Sequence, residues 1–575
     1  MKYRIGKTIS VIGDTIGVLL ENCSANETGE EFGVPDAMCI NLPSPTGPIP
    51  LMIGQPGSFV DVSIPTGSLL CMVTGIKMTE SNQLSSEIKN ALESGELVIS
   101  STKRVLEVLA VGTITPDGSF ERGTDVLPTV SADVYAVDSE TIEKVYASYA
   151  KGNFSVGRLS VLPSQEAKIN LDSFLCRHAA ILGQTGSGKS WTVASVLQKI
   201  ACFPQSSVVL LDLHGEYENA FGEYATYVSA SEIELPYWLM NSEELMGLCV
   251  DRRESAAPNQ IAKFKELLQN AKESHPENIA LGIPKITIDT PIYFDFEKII
   301  KEFERLDTEK VIGSQGRPVN GPLYGQFTRL LMRIQSRLND KRFDLIFKPK
   351  TYTTSASMET LFRKILGEES EPKKIVILDL SPVPFDVRSS VISLILRCLF
   401  DFAYWYKRKN GKAYPLSVFA DEAHSYLNDY DVANEPSRIS SERIAKEGRK
   451  YGISLTVISQ RPREVSSTIL SQCNSFLCLR ISNPDDQNYV KNLLPDSMKG
   501  IVDIFSTLRR GEAILIGDAV MMPTRIKIDQ PDPKPDSDDI SFIEEWNKPH
   551  AFIDVASVLD IWRKQIFEKD GGNCV

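Results

Sequence analysis

One short segment constrains this chain more than any other: ILGQTGSGKSWT, residues 181–192. It contains the pattern G-x-x-x-x-G-K-[ST], with glycines at 183 and 188 followed by Lys189 and Ser190. In this pattern, backbone N–H groups of a glycine-rich turn surround phosphates, and the next helix points its N-terminal dipole at them. An apolar strand must precede the loop and a helix must follow it, and HAAIL and WTVASVLQKI meet both requirements. The chain is therefore predicted to bind a nucleoside triphosphate rather than to carry a Gly/Ser-rich linker here.

The positions of this loop have separate roles. Lys189 is expected to reach the β- and γ-phosphate oxygens, and the Ser190 hydroxyl to join the Mg²⁺ shell. The predicted nucleotide-binding residues are Gly183, Thr185, Gly186, Ser187, Gly188, Lys189, Ser190 and Trp191.

The length and composition of the chain limit the class of protein that carries this nucleotide site. The 575 residues suffice for about two to four domains. No apolar run approaches the roughly 20 residues that span a bilayer. Ten cysteines without C-x-x-C pairs favour reduced thiols, so a cytoplasmic location without membrane contact is expected. The formal net charge of −13 excludes a basic outer face, but not a small basic interior channel.

The chain changes character near residue 150. Before it, the short apolar stretches TIGVLL, SFVDVSI, LLCMVTGI and VLEVLAVGTI are separated by turn residues, which is typical of a β-barrel or sandwich. After the phosphate loop, strands and helices alternate, which favours an α/β fold with a mainly parallel sheet. The expected strands lie in SSVVLLDLHGEY, KKIVILDLS, PLSVFADEAH, GISLTVISQRP, NSFLCLRIS and GEAILIG.

Three of these strands end in an aspartate: Asp212, Asp379 and Asp421. Ligands gather at the carboxyl ends of strands in such sheets. Only Asp421 is followed at once by a glutamate, so Asp421 is predicted to order the metal's water shell and Glu422 to orient the attacking water. A solvated helix start is the alternative for this acidic pair. A capping role is favoured for Asp379, whereas Asp212 stays open as a metal residue because Glu216 lies close to the same strand end.

An uncharged amide, Gln460, ends the strand in GISLTVISQRP. It is a candidate to sense the γ-phosphate or its water, with an ordinary strand-end glutamine as the alternative. His424 is expected to be structural, since no metal-ligand spacing links the histidines.

Seven motifs in fixed order resemble the HerA branch of the HerA/FtsK superfamily of hexameric DNA translocases. They are GQTGSGKSWT, LDLHGEY, ELPYWLMN, QSRLNDKRFDLIF, FADEAHSYL, EGRKYGISLTVISQRP and LRISNPDDQ. The resemblance covers about residues 1 to 535. It implies a RecA-like P-loop ATPase core, an N-terminal β-barrel similar to that of F-type ATP synthase subunits, and a ring around a DNA-conducting pore.

The resemblance also implies roles that spacing alone does not give. In this family ATP lies between subunits and a neighbour's arginine touches the γ-phosphate. The matching position is Arg449, with Arg443 as a weaker candidate. Arg177 matches another basic position near the nucleotide. For each, a surface salt bridge worth about 0–1 kcal/mol is the alternative.

These observations divide the chain into five predicted regions. They are the β-barrel at 1–150, the first part of the ATPase core at 151–240, a helical insertion at 241–345, the second part of the core at 346–535, and a linker with a helical brace at 536–575.

The predicted function is ATP-driven translocation of double-stranded DNA through a homohexameric ring. As the resemblance implies, the ring would serve a separate nuclease or sirtuin-like NAD-hydrolysing effector, in DNA end processing or antiphage defence. The alternative is an ATP-dependent ring scaffold that assembles an effector with little translocation, which the acidic net charge fits slightly better. A protein remodeller is disfavoured because no aromatic-hydrophobic pore loop is evident.

Overall fold

The computed structural model describes residues 3–25, 31–42, 49–80, 102–116, 119–147, 149, 151–229, 234–312, 317–537, 540–549 and 553–564. The chain forms two compact units. The first unit comprises Met1–Val196 with Thr456–Asp532, and the second comprises Leu197–Leu455 with Pro533–Val575.

The N-terminal part of the first unit is built from short antiparallel strands. They are β1 Arg4–Ile12, β2 Thr15–Leu20, β3 Ser24–Ala25, β4 Glu31–Phe32, β5 Cys39–Leu42, β6 Ile49–Met52, β7 Phe59–Ile64, β8 Gly67–Glu80, β9 Thr102–Ile114, β10 Phe120–Arg122 and β11 Asp133–Ala136.

Six of these strands close a barrel in the order β9-β2-β1-β11-β7-β8, because β8 pairs back with β9. Residues of the barrel core recur at every second position, as in Val60, Val62 and Ile64, since successive side chains of a strand point to opposite faces. Phe59 and Asp61, which alternate with them, are also buried. The barrel thus encloses an aliphatic core. Of the two predicted alternatives, barrel and sandwich, the structure has the barrel.

The rest of the first unit contains a mixed sheet. Its strands are β12 Phe154–Leu159, β13 Glu166–Ile169, β14 Ala179–Leu182, β21 Ile453–Ser459, β22 Ser475–Cys478, β23 Glu512–Gly517 and β24 Thr524–Ile528, in the order β13-β12-β24-β23-β22-β14-β21.

The direction of these strands confirms the predicted parallel sheet only in part. Strand β14, which carries the phosphate loop, is parallel to β21 and to β22. Strand β23, the GEAILIG segment, is antiparallel to both of its neighbours. The connection from β23 to β24 has six residues, too few for the crossover that a parallel pair needs.

The rest of this unit consists of helices, and a hydrogen bond joins the mixed sheet to a turn beside the barrel. Arg525 on β24 donates a hydrogen bond from Nη1 to Pro56 O beside the barrel at 2.9 Å. The helices are Ser139–Ala147, Leu171–Cys176, Ser467–Gln472, Pro484–Leu493, the 3₁₀ segments Pro462–Glu464 and Asp496–Thr507, and Lys189–Ile200, which begins in this unit.

Within the described residues, the second unit contains six strands. They are β15 Val208–Asp212, β16 Ala225–Ser229, β17 Lys310–Ile312, β18 Pro318–Asn320, β19 Ile375–Asp379 and β20 Leu416–Ala420. Four of them form a wholly parallel arrangement in the order β20-β15-β19-β16, and β17 and β18 form a separate hairpin. Strands β15, β19 and β20 are buried along their whole length, as expected for parallel strands covered on both faces.

The helices of the second unit include four where the helical patterning of residues 241–345 predicts them: Ser242–Cys249, Ala257–Ser274, Phe296–Thr308 and Thr328–Asn339. On the last of these, Leu330 and Ile334, about one turn apart, are buried. The other helices are Pro276–Ala280, Asp344–Phe347, Ser357–Leu366, Phe385–Asn410, Glu435–Tyr451, Phe542–Trp546 and Val555–Lys564, with 3₁₀ turns at Gly222–Tyr224, Tyr237–Leu239, Lys341–Phe343, Ala423–Ser425 and Val432–Asn434.

Two further points concern the helices. The last part of the predicted helical brace, residues 565–575, lies outside the described residues. Within the described ranges, no helix combines the length and the apolar character that crossing a bilayer requires. The predicted domain boundaries stay predictions.

Candidate functional site

The phosphate loop joins the end of β14 to helix Lys189–Ile200 in the first unit. The Gly183 N–H donates to Ser459 O at 3.2 Å. Gly186 and Gly188 have φ angles of +74° and +100°, which a residue with a Cβ rarely adopts. The first N–H groups of the helix have no acceptor within it. The loop therefore presents N–H donors and the positive end of a helix dipole, which suit a phosphate group.

The side chains of the loop lie at different depths. Ser187 is fully buried, and Lys189, the first residue of the helix, is also buried. Ser190 and Trp191 are half-buried. The Arg510 guanidinium lies 5.5 Å from the centroid of the Trp191 ring, so the turn before β23 packs on the start of this helix.

The structure brings Gln460 to the phosphate loop. Its Oε1 accepts a hydrogen bond from Thr185 Oγ1. The neighbouring Gln184 is held on the other side, because its N–H donates to Arg480 O at 2.9 Å and its Oε1 accepts from Ser482 N at 2.9 Å. Loops after β21 and β22 thus fix the phosphate loop from both flanks. A sensing role for Gln460 stays a prediction, and its contact with the loop supports it.

Arg177 precedes β14 and forms an ion pair within the first unit. Its Nη1 donates to Asp518 Oδ2, and the Arg177 side chain is 42% exposed. Asn474 Nδ2 donates to the same carboxylate at 3.2 Å. This is the salt bridge that the sequence left open as the alternative, so a role for Arg177 at the nucleotide stays a prediction.

In the second unit, Asp212 is a capping residue. Its Oδ1 accepts from the N–H groups of His214, Gly215 and Glu216 at 2.9–3.3 Å, and its Oδ2 accepts from Tyr217 N at 3.1 Å. Burial nevertheless raises the pKa of Asp212 to about 6, against the lowering effect of the bonds from Tyr217, Glu216 and His214. The carboxylate organises the LHGEY turn, and this geometry does not require a metal to account for it.

Asp379, at the end of β19, also caps its own turn. Its Oδ1 accepts from Ser381 N at 2.9 Å, and its Oδ2 accepts from the Tyr227 hydroxyl. These bonds agree with the capping role that the sequence favours for Asp379.

Asp421 differs from both. It is buried directly after β20, and its Oδ1 accepts from Glu422 N at 2.9 Å. Burial, followed by the negative charges of Glu422, Asp212 and Glu216, raises the pKa of Asp421 well above its usual range. The structure therefore brings four predicted acidic residues to one edge of the sheet in this unit. A buried group of carboxylates whose charges repel one another suits a cation.

Glu422 follows with a left-handed backbone, φ +46° and ψ +40°. This conformation is uncommon for a residue with a Cβ and is found at functional turns. Its carboxylate is largely buried, and Oε2 lies 3.2 Å from Nδ1 of His424. Sequence reasoning assigned His424 a purely structural place. The D-E-x-H spacing indicates the contact only when the left-handed turn at Glu422 is known.

The two candidate arginines on helix Glu435–Tyr451 are in different situations. The Arg443 guanidinium stacks on Phe400 at 4.2 Å and lies 3.5 Å from Asp401 Oδ1. Arg449 is exposed in the last turn of the helix, and within the described ranges it makes no ion pair. Arg443 is thus engaged within its own unit, whereas Arg449 extends into solvent.

Comparison with known proteins adds to this geometry. Residues 154–399 match the family model described as "Helicase HerA, central domain". The DNA double-strand break repair helicase HerA of Saccharolobus solfataricus is 28% identical over 429 residues, 74% of this chain and 77% of the relative. The HerA of Pyrococcus furiosus is 26% identical, covering 72% of this chain and 77% of the relative.

Among solved structures, VirB4 of Thermoanaerobacter pseudethanolicus gives a TM-score of 0.44 at 15% identity, covering 66% of this chain and 96% of that one. The central-domain match and the HerA relatives, which cover about three quarters of this chain, agree with the predicted family. Residues 154–399 thus match the central domain of HerA helicases, the chain is similar to HerA over about three quarters of its length, and it is an ATP-hydrolysing enzyme.

Proposed function

We propose that this chain is an ATP-driven translocase of double-stranded DNA that works as a homohexameric ring with a separate effector. The observation that carries the proposal is the family relationship, since the relatives aligned with three quarters of this chain are named DNA double-strand break repair helicases. The effector would be a nuclease or a sirtuin-like NAD-hydrolysing subunit. The process served would be DNA end processing or antiphage defence.

The proposed chemistry assigns ATP binding and ATP hydrolysis to different residues. The phosphate loop and Lys189 bind the triphosphate of ATP in a RecA-like core. Glu422 orients the attacking water, and Gln460 reports the state of the γ-phosphate to the loop through Thr185.

The residues present fit a magnesium ion. The buried Asp421, whose pKa is raised by burial and then by neighbouring carboxylates, is a site where a cation would relieve repulsion. In the second unit Asp421, with Asp212 as a weaker candidate, would hold Mg²⁺, which when bound would neutralise charge on the phosphates. Ser190 remains a metal candidate from the phosphate-loop motif alone.

Two exposed features support assembly into a ring. Arg449 is the better of the two candidate trans-acting arginines, because it is exposed and Arg443 is already engaged. The C-terminal helices contain no buried residue, and Trp546 and Trp562 are 79% and 74% exposed. Exposed aromatic side chains of this kind suit a protein interface, which for the tail would be a neighbouring subunit.

The test of a shared site mixes two inactive variants. Arg449→Ala should bind ATP but lose hydrolysis by about 10³-fold, the scale of other trans-acting arginines. Mixing it with Lys189→Ala should restore part of the activity, because mixed rings recreate intact sites from two chains. Arg408→Ala, which removes another exposed arginine near a helix C-terminus, is the control and should keep wild-type turnover. No recovery on mixing, or only monomers in native mass spectrometry with nucleotide, would contradict a ring with shared sites.

The effect of DNA on the rate of ATP hydrolysis distinguishes the translocase from the scaffold alternative. The net charge of −13 favours the scaffold slightly. A translocase should hydrolyse ATP faster with duplex DNA, and the increase should fade as salt is raised, because phosphate contacts release counterions. Hydrolysis that ignores duplex DNA at low salt would favour the scaffold.

A further inference from the structure

The turn that follows β20 is unusually well fixed for so short a segment. Glu422 O accepts hydrogen bonds from both the N–H and the hydroxyl of Ser425, at 2.9 and 2.8 Å. Leu427 N donates to Ala423 O at 2.8 Å, and Asn434 Nδ2 donates to Ser425 O at 3.1 Å. A left-handed glutamate persists only where its surroundings determine it, and these bonds supply that constraint.

The same turn brings two side chains together that ordinary backbone would separate. Residues two positions apart do not face each other on a helix. Here the left-handed backbone at Glu422 places His424 Nδ1 3.2 Å from Glu422 Oε2. The two side chains are only 12% and 13% exposed, so solvent competes little for this contact.

We propose that His424 is a positioning residue for ATP hydrolysis, whose Nδ1, 3.2 Å from Glu422 Oε2, restrains the plane of that carboxylate through this polar contact. The inference rests on the proposed role of Glu422 in orienting the attacking water. With Oε2 held, Oε1 is the oxygen that takes a hydrogen bond from the water. A glutamate side chain has three rotatable bonds, and a fixed carboxylate is worth more to catalysis than a mobile one because a displacement of about 1 Å costs roughly 10²-fold in rate.

A structural role for His424 and a positioning role predict different kinetics. If His424 only supports the turn, its replacement alters folding and affects substrate binding and turnover together. If it orients Glu422, its replacement lowers kcat while KM for ATP stays, and the loss depends on Glu422 being present.

The experiment compares His424→Leu, which keeps the bulk and removes the polar ring nitrogen, with His424→Asn, whose amide nitrogen stands near the place of Nδ1. In the full chain, the leucine variant should lose about 10²-fold in kcat with KM unchanged. The asparagine variant should stay within about 10-fold of wild type, because it restores a polar nitrogen. His275→Ala, at the junction of two helices in the same unit, is the histidine control and should leave kcat unchanged.

A double variant decides whether His424 acts through Glu422. In a Glu422→Gln background, His424→Leu should cost no more than about 2-fold further. A leucine variant with wild-type or raised kcat, or losses that multiply in the double variant, would overturn the proposal. If the leucine variant does not fold, His424→Ala answers the same question. Undiminished turnover in Glu422→Gln alone would instead overturn the proposed role of Glu422.

Discussion

Strands β15 and β20 end alike in sequence and differently in structure. Each is a buried apolar strand followed by an aspartate, Asp212 in one and Asp421 in the other. The Asp212 carboxylate accepts four backbone hydrogen bonds, whereas within the described part of the chain the Asp421 carboxylate accepts one, from Glu422 N. The first carboxylate is used to build a turn. The second is buried among like charges, an arrangement that costs stability and suits a metal ion and a reaction.

The largest expected effect is on ATP turnover, and it should occur at the end of β20 and not at the end of β15. Glu422→Gln removes the carboxylate that is proposed to orient water and keeps the shape of the side chain. Turnover should fall by about 10³-fold while ATP binding persists. Glu216→Gln, beside Asp212, is the matched control and should retain most activity, as measured by phosphate release and nucleotide titration. If the two variants exchanged these results, the chemistry would belong to the end of β15.

The sequence predicts the parts of the fold that local chemistry determines. The phosphate loop needs two glycines with positive φ, and Gly186 and Gly188 have it. The parallel strands β15, β19 and β20 follow from continuous apolar runs. The antiparallel direction of β23 could not be predicted, because the sequence of an apolar strand does not indicate the direction of its neighbour.

The site is predictable only as far as residue types allow. The pairing of Arg177 with Asp518 joins residues 341 positions apart, and nothing in the local sequence indicates it. Asp212 and Asp421 differ in the number of backbone N–H groups that donate to each carboxylate, and the local sequence does not indicate this number. The contact of His424 with Glu422 depends on a backbone conformation that glutamate seldom adopts.

The second prediction tests the structural strand end. Asp212→Ala leaves four backbone N–H groups without their acceptor, so the LHGEY turn should lose about 3 kcal/mol of local stability. Amide exchange of residues 213–217 should then accelerate by about 10²-fold. Asp379→Ala, which removes only one backbone bond and one hydroxyl bond, should have a smaller effect on its own turn. Unchanged exchange in the Asp212 variant would mean that the carboxylate is not what holds this turn.

The smallest effect has the opposite sign and concerns the other strand end. Asp421→Asn should abolish most turnover and yet raise the free energy of unfolding by about 1 kcal/mol at pH 8, because it removes a buried charge repelled by its neighbours. The folded state raises the pKa of Asp421 above its usual 3.8, so this group's contribution to stability is present below that value and is lost as pH rises through the folded pKa. Asparagine has no such dependence, and its advantage over wild type should therefore grow from about zero at acid pH towards pH 8. Denaturant unfolding in a chelator, with the exposed Asp503→Asn as control, measures this difference. An advantage that is the same at every pH would contradict repulsion of the Asp421 charge as its cause. A variant less stable than wild type at pH 8 would show that Asp421, like Asp212, holds the fold.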